Sequence, residues 1–117
     1  ARQFRQADIP VCIGGFHVSG CIAMLPDLPA GLQEAQDLGI SLYAGEAEGR
    51  LDEVFKDAFN GELKPLYNYL NDLPGLEGAT QPFLPAKLIG RHAGSRTSFD
   101  AGRGCPFLCS FCTIINV

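Results

Sequence analysis

Ile40-Ser-Leu-Tyr-Ala44, Gly45-Glu-Ala-Glu-Gly49 and Arg50-Leu-Asp-Glu-Val-Phe-Lys-Asp-Ala-Phe-Asn60 carry the clearest pattern in the sequence. Residues 40–44 are a short apolar run, suited to a buried strand. Residues 45–49 are a tight loop with glycine at both ends. Residues 50–60 then place Leu51, Val54, Phe55, Ala58 and Phe59 at i, i+3, i+4, i+7 and i+8, the apolar stripe of a helix. Glu46, Glu48, Asp52 and Glu53 gather at its start, where the helix dipole favours negative charge, and Gly61 ends it.

The same unit precedes this one. Ile9-Pro-Val-Cys-Ile13 is a continuous apolar run closed by Gly14-Gly15, as expected for a buried strand of a parallel sheet. Phe16–Gly20 reads as a loop, and residues 21–25 as a short helical turn before Pro26. A helix is predicted from Pro29 to Leu38, with Asp27 as a cap, Leu28, Leu32, Ala35 and Leu38 at helical spacing, and Gly39 as its stop. Strand, helix, strand, helix over residues 9–61 indicates an α/β fold with a parallel sheet and right-handed crossovers. Two strands do not make a stable sheet, so further strands are expected upstream of Ala1.

The pattern changes at Glu62. Pro65, Pro74, Pro82 and Pro85 interrupt a stretch that stays apolar through Leu66, Tyr67, Leu70, Phe83 and Leu84. A disordered linker would be more polar. Residues 63–96 therefore read as an ordered connector packed along a domain surface, with at most a helical turn at Leu66–Leu70. Residues 97–101 are a strand candidate broken by Gly102-Arg-Gly104.

Composition bounds the function. Of 117 residues, 46% are hydrophobic and 19% charged, ordinary for a globular chain. No apolar run reaches the length of a membrane helix. The net charge of −4 comes without any basic block, which argues against nucleic-acid binding through phosphate neutralisation. The five cysteines are an odd count for a secreted disulfide scaffold, and a cytoplasmic setting is expected. Cys12 and Cys21 stand among apolar neighbours and read as small buried hydrophobes.

The other three cysteines carry chemistry. Gly104-Cys105-Pro-Phe-Leu-Cys109-Ser-Phe-Cys112 sets three thiols at CxxxCxxC spacing, which lets one compact loop turn three sulfurs toward one centre. Soft thiolates suit zinc or an iron–sulfur cluster. A structural zinc would need a fourth ligand, and His92 is the nearby candidate. Four-iron clusters usually take four thiolates, so three would leave one iron open, as a catalytic site requires. A redox dithiol between Cys109 and Cys112 would leave the third thiol without a role.

With Phe111 immediately before the third cysteine, and Phe99-Asp-Ala-Gly-Arg-Gly-Cys-Pro leading into the loop, this stretch resembles the signature of the radical S-adenosylmethionine superfamily. The resemblance implies that Cys105, Cys109 and Cys112 bind a [4Fe-4S] cluster. Its open iron would chelate the amino and carboxylate groups of S-adenosylmethionine, with Phe111 near the adenine. One electron, from a reductant such as flavodoxin or ferredoxin, would cleave the sulfonium to a 5′-deoxyadenosyl radical that abstracts hydrogen from a small-molecule or other substrate. The loop would follow the first strand of a (β/α) barrel, consistent with catalytic groups lying at the carboxyl ends of barrel strands.

Upstream, the strand ending in Gly14-Gly15, the helix, the next strand and Gly45-Glu-Ala-Glu-Gly49 resemble the latter half of the Rossmann-like cobalamin-binding domain of one radical S-adenosylmethionine class. Gly14 and Gly15 match that family's glycine pair, which lets backbone approach the nucleotide tail of cobalamin. The family's Asp-x-His-x-x-Gly motif is not in this sequence, and His17 does not match its position, so His17 reads as a loop histidine. His92 reads the same way. Arg103 reads as a structural loop cation, with a contact to a cofactor carboxylate as its alternative.

The expected organisation is an internal piece of a longer protein. Residues 1–62 would be part of the cobalamin-binding-like domain, 63–96 the connector, and 97–117 the start of the barrel. Such a piece is expected to have no turnover by itself. The alternatives are a non-catalytic zinc- or iron–sulfur-binding module and a cobalamin-binding regulatory domain.

Overall fold

The computed structural model describes residues 1–72, 74, 75, 77, 78, 107 and 109. The chain is α/β. A five-residue helix α1 (Arg2–Gln6) leads into strand β1 (Cys12–Ile13), helix α2 (Phe16–Met24), helix α3 (Ala30–Asp37), strand β2 (Ser41–Ala44), helix α4 (Leu51–Asn60) and strand β3 (Leu66–Asn68). The three strands form one parallel sheet in the order β1-β2-β3. Cys12 pairs with Ser41 and Ile13 with Leu42, while Tyr43 pairs with Tyr67 and Ala44 with Asn68. The predicted strands around residues 9–13 and 40–44 and the helices around 29–38 and 50–60 are all present.

Alternation along the strands divides the core in two. On one face Leu42, fully buried, meets Val18 and Cys21 of α2 and Leu32 and Ala35 of α3, with Ile13 packed against them. On the other face Tyr43 and Tyr67 close over Val54 of α4, with Cys12 beside them. Cys12 and Cys21 thus serve as small apolar groups, and burial pushes the Cys12 thiol up.

Two readings are corrected. Phe16–Gly20 is not a loop: residues 16–24 are one continuous helix. Val18, Ser19, Gly20 and Cys21 are consecutively buried, so α2 is enclosed by its neighbours and its sequence carries no single apolar stripe. Leu66–Leu70 holds no helical turn: Leu66–Asn68 is a strand with only the central Tyr67 buried. It supplies a third strand downstream of the pair, inside the stretch expected to be connector.

Helix ends follow the sequence in part: Asp27 does not cap α3, whose N-cap is Pro29 with no side-chain hydrogen bond. Gly61 closes α4 in the left-handed conformation, and its N–H returns to Ala58. Arg5 closes α3 from outside, donating from Nε to the Leu38 carbonyl and from its guanidinium to the Ile9 carbonyl.

Candidate functional site at the carboxyl end of the sheet

All three strands point their carboxyl ends the same way, and open α/β sheets bind ligands beyond that edge. Here β1 ends in Gly14-Gly15 and β2 in Gly45. The two glycines of the pair do different jobs. A Cβ on Gly14 would stand 3.1 Å from the Tyr43 carbonyl oxygen and 3.2 Å from the Tyr43 Cβ, so Gly14 lets β1 lie against β2. Gly15 has φ +93, and nothing lies within 4 Å of where its Cβ would be. Its backbone is open to a close approach from outside.

Gly45 is the tightest point. Its φ is +111, and a Cβ there would sit 2.9 Å from the Tyr69 carbonyl carbon. The Gly45 N–H donates to the Ser19 hydroxyl at 3.1 Å. Ser19 is almost completely buried in α2, so this bond ties the helix following Gly15 to the turn following β2. The Tyr43 hydroxyl donates to the Glu46 carbonyl at 2.8 Å and holds the same turn from its other side.

An aromatic and charged ladder flanks the turn. The Tyr43 and Tyr69 rings lie 5.6 Å apart, and the Arg50 guanidinium stacks 4.5 Å from the centre of Tyr69. Arg50 also binds the carboxylate of Asp72. Tyr69 donates its hydroxyl to Glu53, and Lys64 binds the same carboxylate at 2.5 Å. Lys64 first and Tyr69 second hold the Glu53 carboxyl below its ordinary range. The Tyr67 hydroxyl donates to Asp57 at 2.7 Å and accepts the Lys64 backbone N–H at 3.2 Å. Burial, then that bond to Asp57, raises its pKa. No spacing signal in the sequence marks Ser19 as the partner of Gly45, or Arg50 as the partner of Tyr69 and Asp72.

Just past this turn a cleft of about 350 Å³ is lined by Ala47, Glu48, Gly49, Leu51 and Asp52. Its two carboxylates make it unsuited to an anionic ligand.

Of the predicted site residues, Gly14 and Gly15 therefore stand together at the carboxyl edge. Cys109 is an exposed free thiol. Cys105, Cys112 and Phe111 lie outside the described residues, as do His92, Arg103 and the strand expected at 97–101. Among the described residues no three His, Cys, Asp or Glu side chains gather as metal ligands. His17 is on α2 rather than in a loop, exposed, with Nδ1 3.9 Å from the Cys21 sulfur.

The curated bacteriochlorophyllide d C-8(2)-methyltransferase of Chlorobaculum tepidum is similar to this chain. The two are 30% identical over 124 residues, covering 99% of the chain and 24% of that enzyme. The chain thus spans about a quarter of the relative's length. No family model and no solved structure matches the chain. Among the described residues no helix is long and apolar enough to cross a membrane.

Proposed function

We propose that the chain belongs to a radical S-adenosylmethionine enzyme whose amino-terminal part is Rossmann-like and of the cobalamin-binding type, and that its reaction is a methyl transfer to carbon. The observation that carries the methyl transfer is the similarity, along nearly the whole chain, to an enzyme named for methylating a carbon position. The three thiols at CxxxCxxC spacing and the aromatic Phe111 carry the radical chemistry.

In this reading Cys105, Cys109 and Cys112 hold a [4Fe-4S] cluster, a donor set whose soft thiolates suit iron–sulfur ligation. When bound and reduced by an external one-electron donor, such a cluster would supply the electron that cleaves S-adenosylmethionine. Phe111, next to Cys112, gives the adenine a flat apolar surface. Gly15 would admit the tail of a cobalamin at the sheet edge, where the open space at its Cβ position fits backbone contact, while Gly14 lets β1 lie against β2 beside it. Ser19 fixes α2 against the Gly45 turn, so that the backbone on both sides of this opening is held in place.

The test is reductive cleavage of S-adenosylmethionine by the anaerobically purified full-length protein supplied with a one-electron reductant such as dithionite, followed by chromatography of 5′-deoxyadenosine and S-adenosylhomocysteine. Cleavage that is absent from Cys109→Ala supports the reading. Equal cleavage in that variant refutes it.

A further inference from the structure

The chain has no tryptophan and three tyrosines, and all three stand together. The Tyr43 and Tyr69 rings are 5.6 Å apart, and the Tyr43 and Tyr67 rings 6.4 Å apart. Tyr43 also lies against the glycine pair, with its Cδ1 3.6 Å from where a Cβ on Gly14 would be. A line of phenol rings therefore runs from the carboxyl edge of the sheet, through the buried Tyr43, to the half-buried Tyr69, whose hydroxyl reaches the exposed carboxylate of Glu53. We infer that the three tyrosines form a relay that carries one-electron oxidising equivalents away from the sheet edge, passing through Tyr43 and coming to rest on Tyr69, with Tyr67 as a side branch.

The hydrogen bonds assign these roles. A phenol that loses an electron becomes a strong acid, so the charge rests where a base can take the proton. Tyr69 donates to Glu53, and Tyr67 donates to Asp57 at 2.7 Å. An ionised carboxylate is a pure acceptor and can take either proton. Tyr43 donates instead to the Glu46 backbone carbonyl, which is not a base, so Tyr43 hands the charge on.

The cations beside the rings enforce the same division. The Arg50 guanidinium lies 4.5 Å from the centre of the Tyr69 ring, and the Lys64 ammonium 5.3 Å from that of Tyr67. A cation is attracted to the face of a neutral ring and repelled by a cationic one. Oxidation of Tyr69 or Tyr67 must therefore shed the phenol proton and leave a neutral phenoxyl radical.

The step balances. A peroxyl radical, formed when a carbon radical meets dioxygen at the sheet edge, takes one electron from Tyr43 and one proton from solvent and becomes a hydroperoxide. Tyr43 takes one electron from Tyr69, and the Tyr69 phenol proton passes to Glu53. A small thiol or ascorbate in solution then returns an electron to the phenoxyl, and Glu53 returns the proton. The class of oxidant rests on the radical chemistry proposed above, whereas the relay rests on the three tyrosines alone.

The experiment places p-azidophenylalanine at position 16 of the full-length protein and couples it to a ruthenium polypyridyl photosensitiser. Phe16 is 66% exposed and follows Gly15, so the flash-generated oxidant starts at the sheet edge. Radicals are captured with a nitrone spin trap and located by peptide mass spectrometry. The expected adduct is on Tyr69. Tyr43→Phe should reduce it to background, and Glu53→Gln should reduce it severalfold. Glu53 is exposed, so the second variant keeps the test decisive should Tyr43→Phe disturb the core. An undiminished Tyr69 adduct in either variant, adducts confined to other residues, or no adduct in protein with native circular dichroism overturns the inference. Because the sensitiser supplies the oxidant, these results are separate from those of S-adenosylmethionine cleavage, which tests the radical chemistry itself.

Discussion

The hydroxyl of Ser19, buried in α2, accepts the backbone N–H of Gly45 at 3.1 Å, joining the helix that follows the glycine pair to the turn that follows β2. This bond sets how α2 sits against that turn at the carboxyl edge of the sheet. Removing the acceptor leaves a part-buried N–H without its partner, which costs about 1–3 kcal/mol. Ser19→Ala is therefore expected to lower the urea midpoint with little change in the slope. An unchanged midpoint would show that water replaces the hydroxyl freely.

Gly45 and Gly49 both take left-handed φ, +111 and +69, but only Gly45 has no room for a Cβ. Gly49→Ala is expected to cost about 1–2 kcal/mol from backbone conformation alone. Gly45→Ala should cost more, because the Tyr69 backbone must also shift. Thermal unfolding of the two variants tests the order, and equal losses would argue against the close approach of β2 and β3.

The hydroxyl of Tyr67 links Asp57 on α4 to the backbone of Lys64. Tyr67→Phe keeps the ring in the core but strands a carboxylate and an N–H. A loss of about 1–3 kcal/mol in denaturant unfolding is expected. Asp57→Asn should cost less, since an amide oxygen can still accept the bond.

The fold was legible wherever a period was long enough to see. The stripe from Leu51 to Phe59 marks α4, and the runs closed by Gly14 and Gly45 mark β1 and β2. Besides the five-residue α1, for which the sequence shows no period, two elements escaped for opposite reasons. Helix α2 is buried around Val18–Cys21, so no polar face sets its period. Strand β3 is three residues long, too short to show alternation before pairing with β2 reveals it. The stripe itself also misled in part, because apolar residues on a helix need not face the same core: Val54 packs on Tyr43 and Tyr67, whereas Phe59 does not. At the site, Gly14 and Gly15 were visible as a pair, but their separate tasks follow only from the position of Tyr43. The bonds of Ser19, Arg50 and Asp72 join residues far apart in sequence, and no local pattern encodes them.

Stability should respond to acid through Glu53. Its carboxyl pKa is lowered in the fold, chiefly by Lys64 and then by Tyr69. A lowered carboxyl pKa stabilises the fold above the unfolded value, near 4.3, and the effect is lost as pH falls through the folded value. Glu53→Gln should therefore flatten the decline of melting temperature below about pH 4.3. The effect should be small, because the pair is exposed and salt-screened. At the other end, the raised pKa values of Lys64 and Tyr69 give stability that is present below about pH 10 and lost above it. The same variant should flatten that decline as well, since Glu53 is the first cause of both shifts.

Metal content after anaerobic reconstitution with iron and sulfide decides whether Cys105, Cys109 and Cys112 hold an iron–sulfur cluster. The reconstituted protein is expected to be brown, with broad charge-transfer absorbance and about four irons per chain, both lost in Cys109→Ala. A colourless protein that takes up a single zinc with unchanged affinity for S-adenosylmethionine would contradict it.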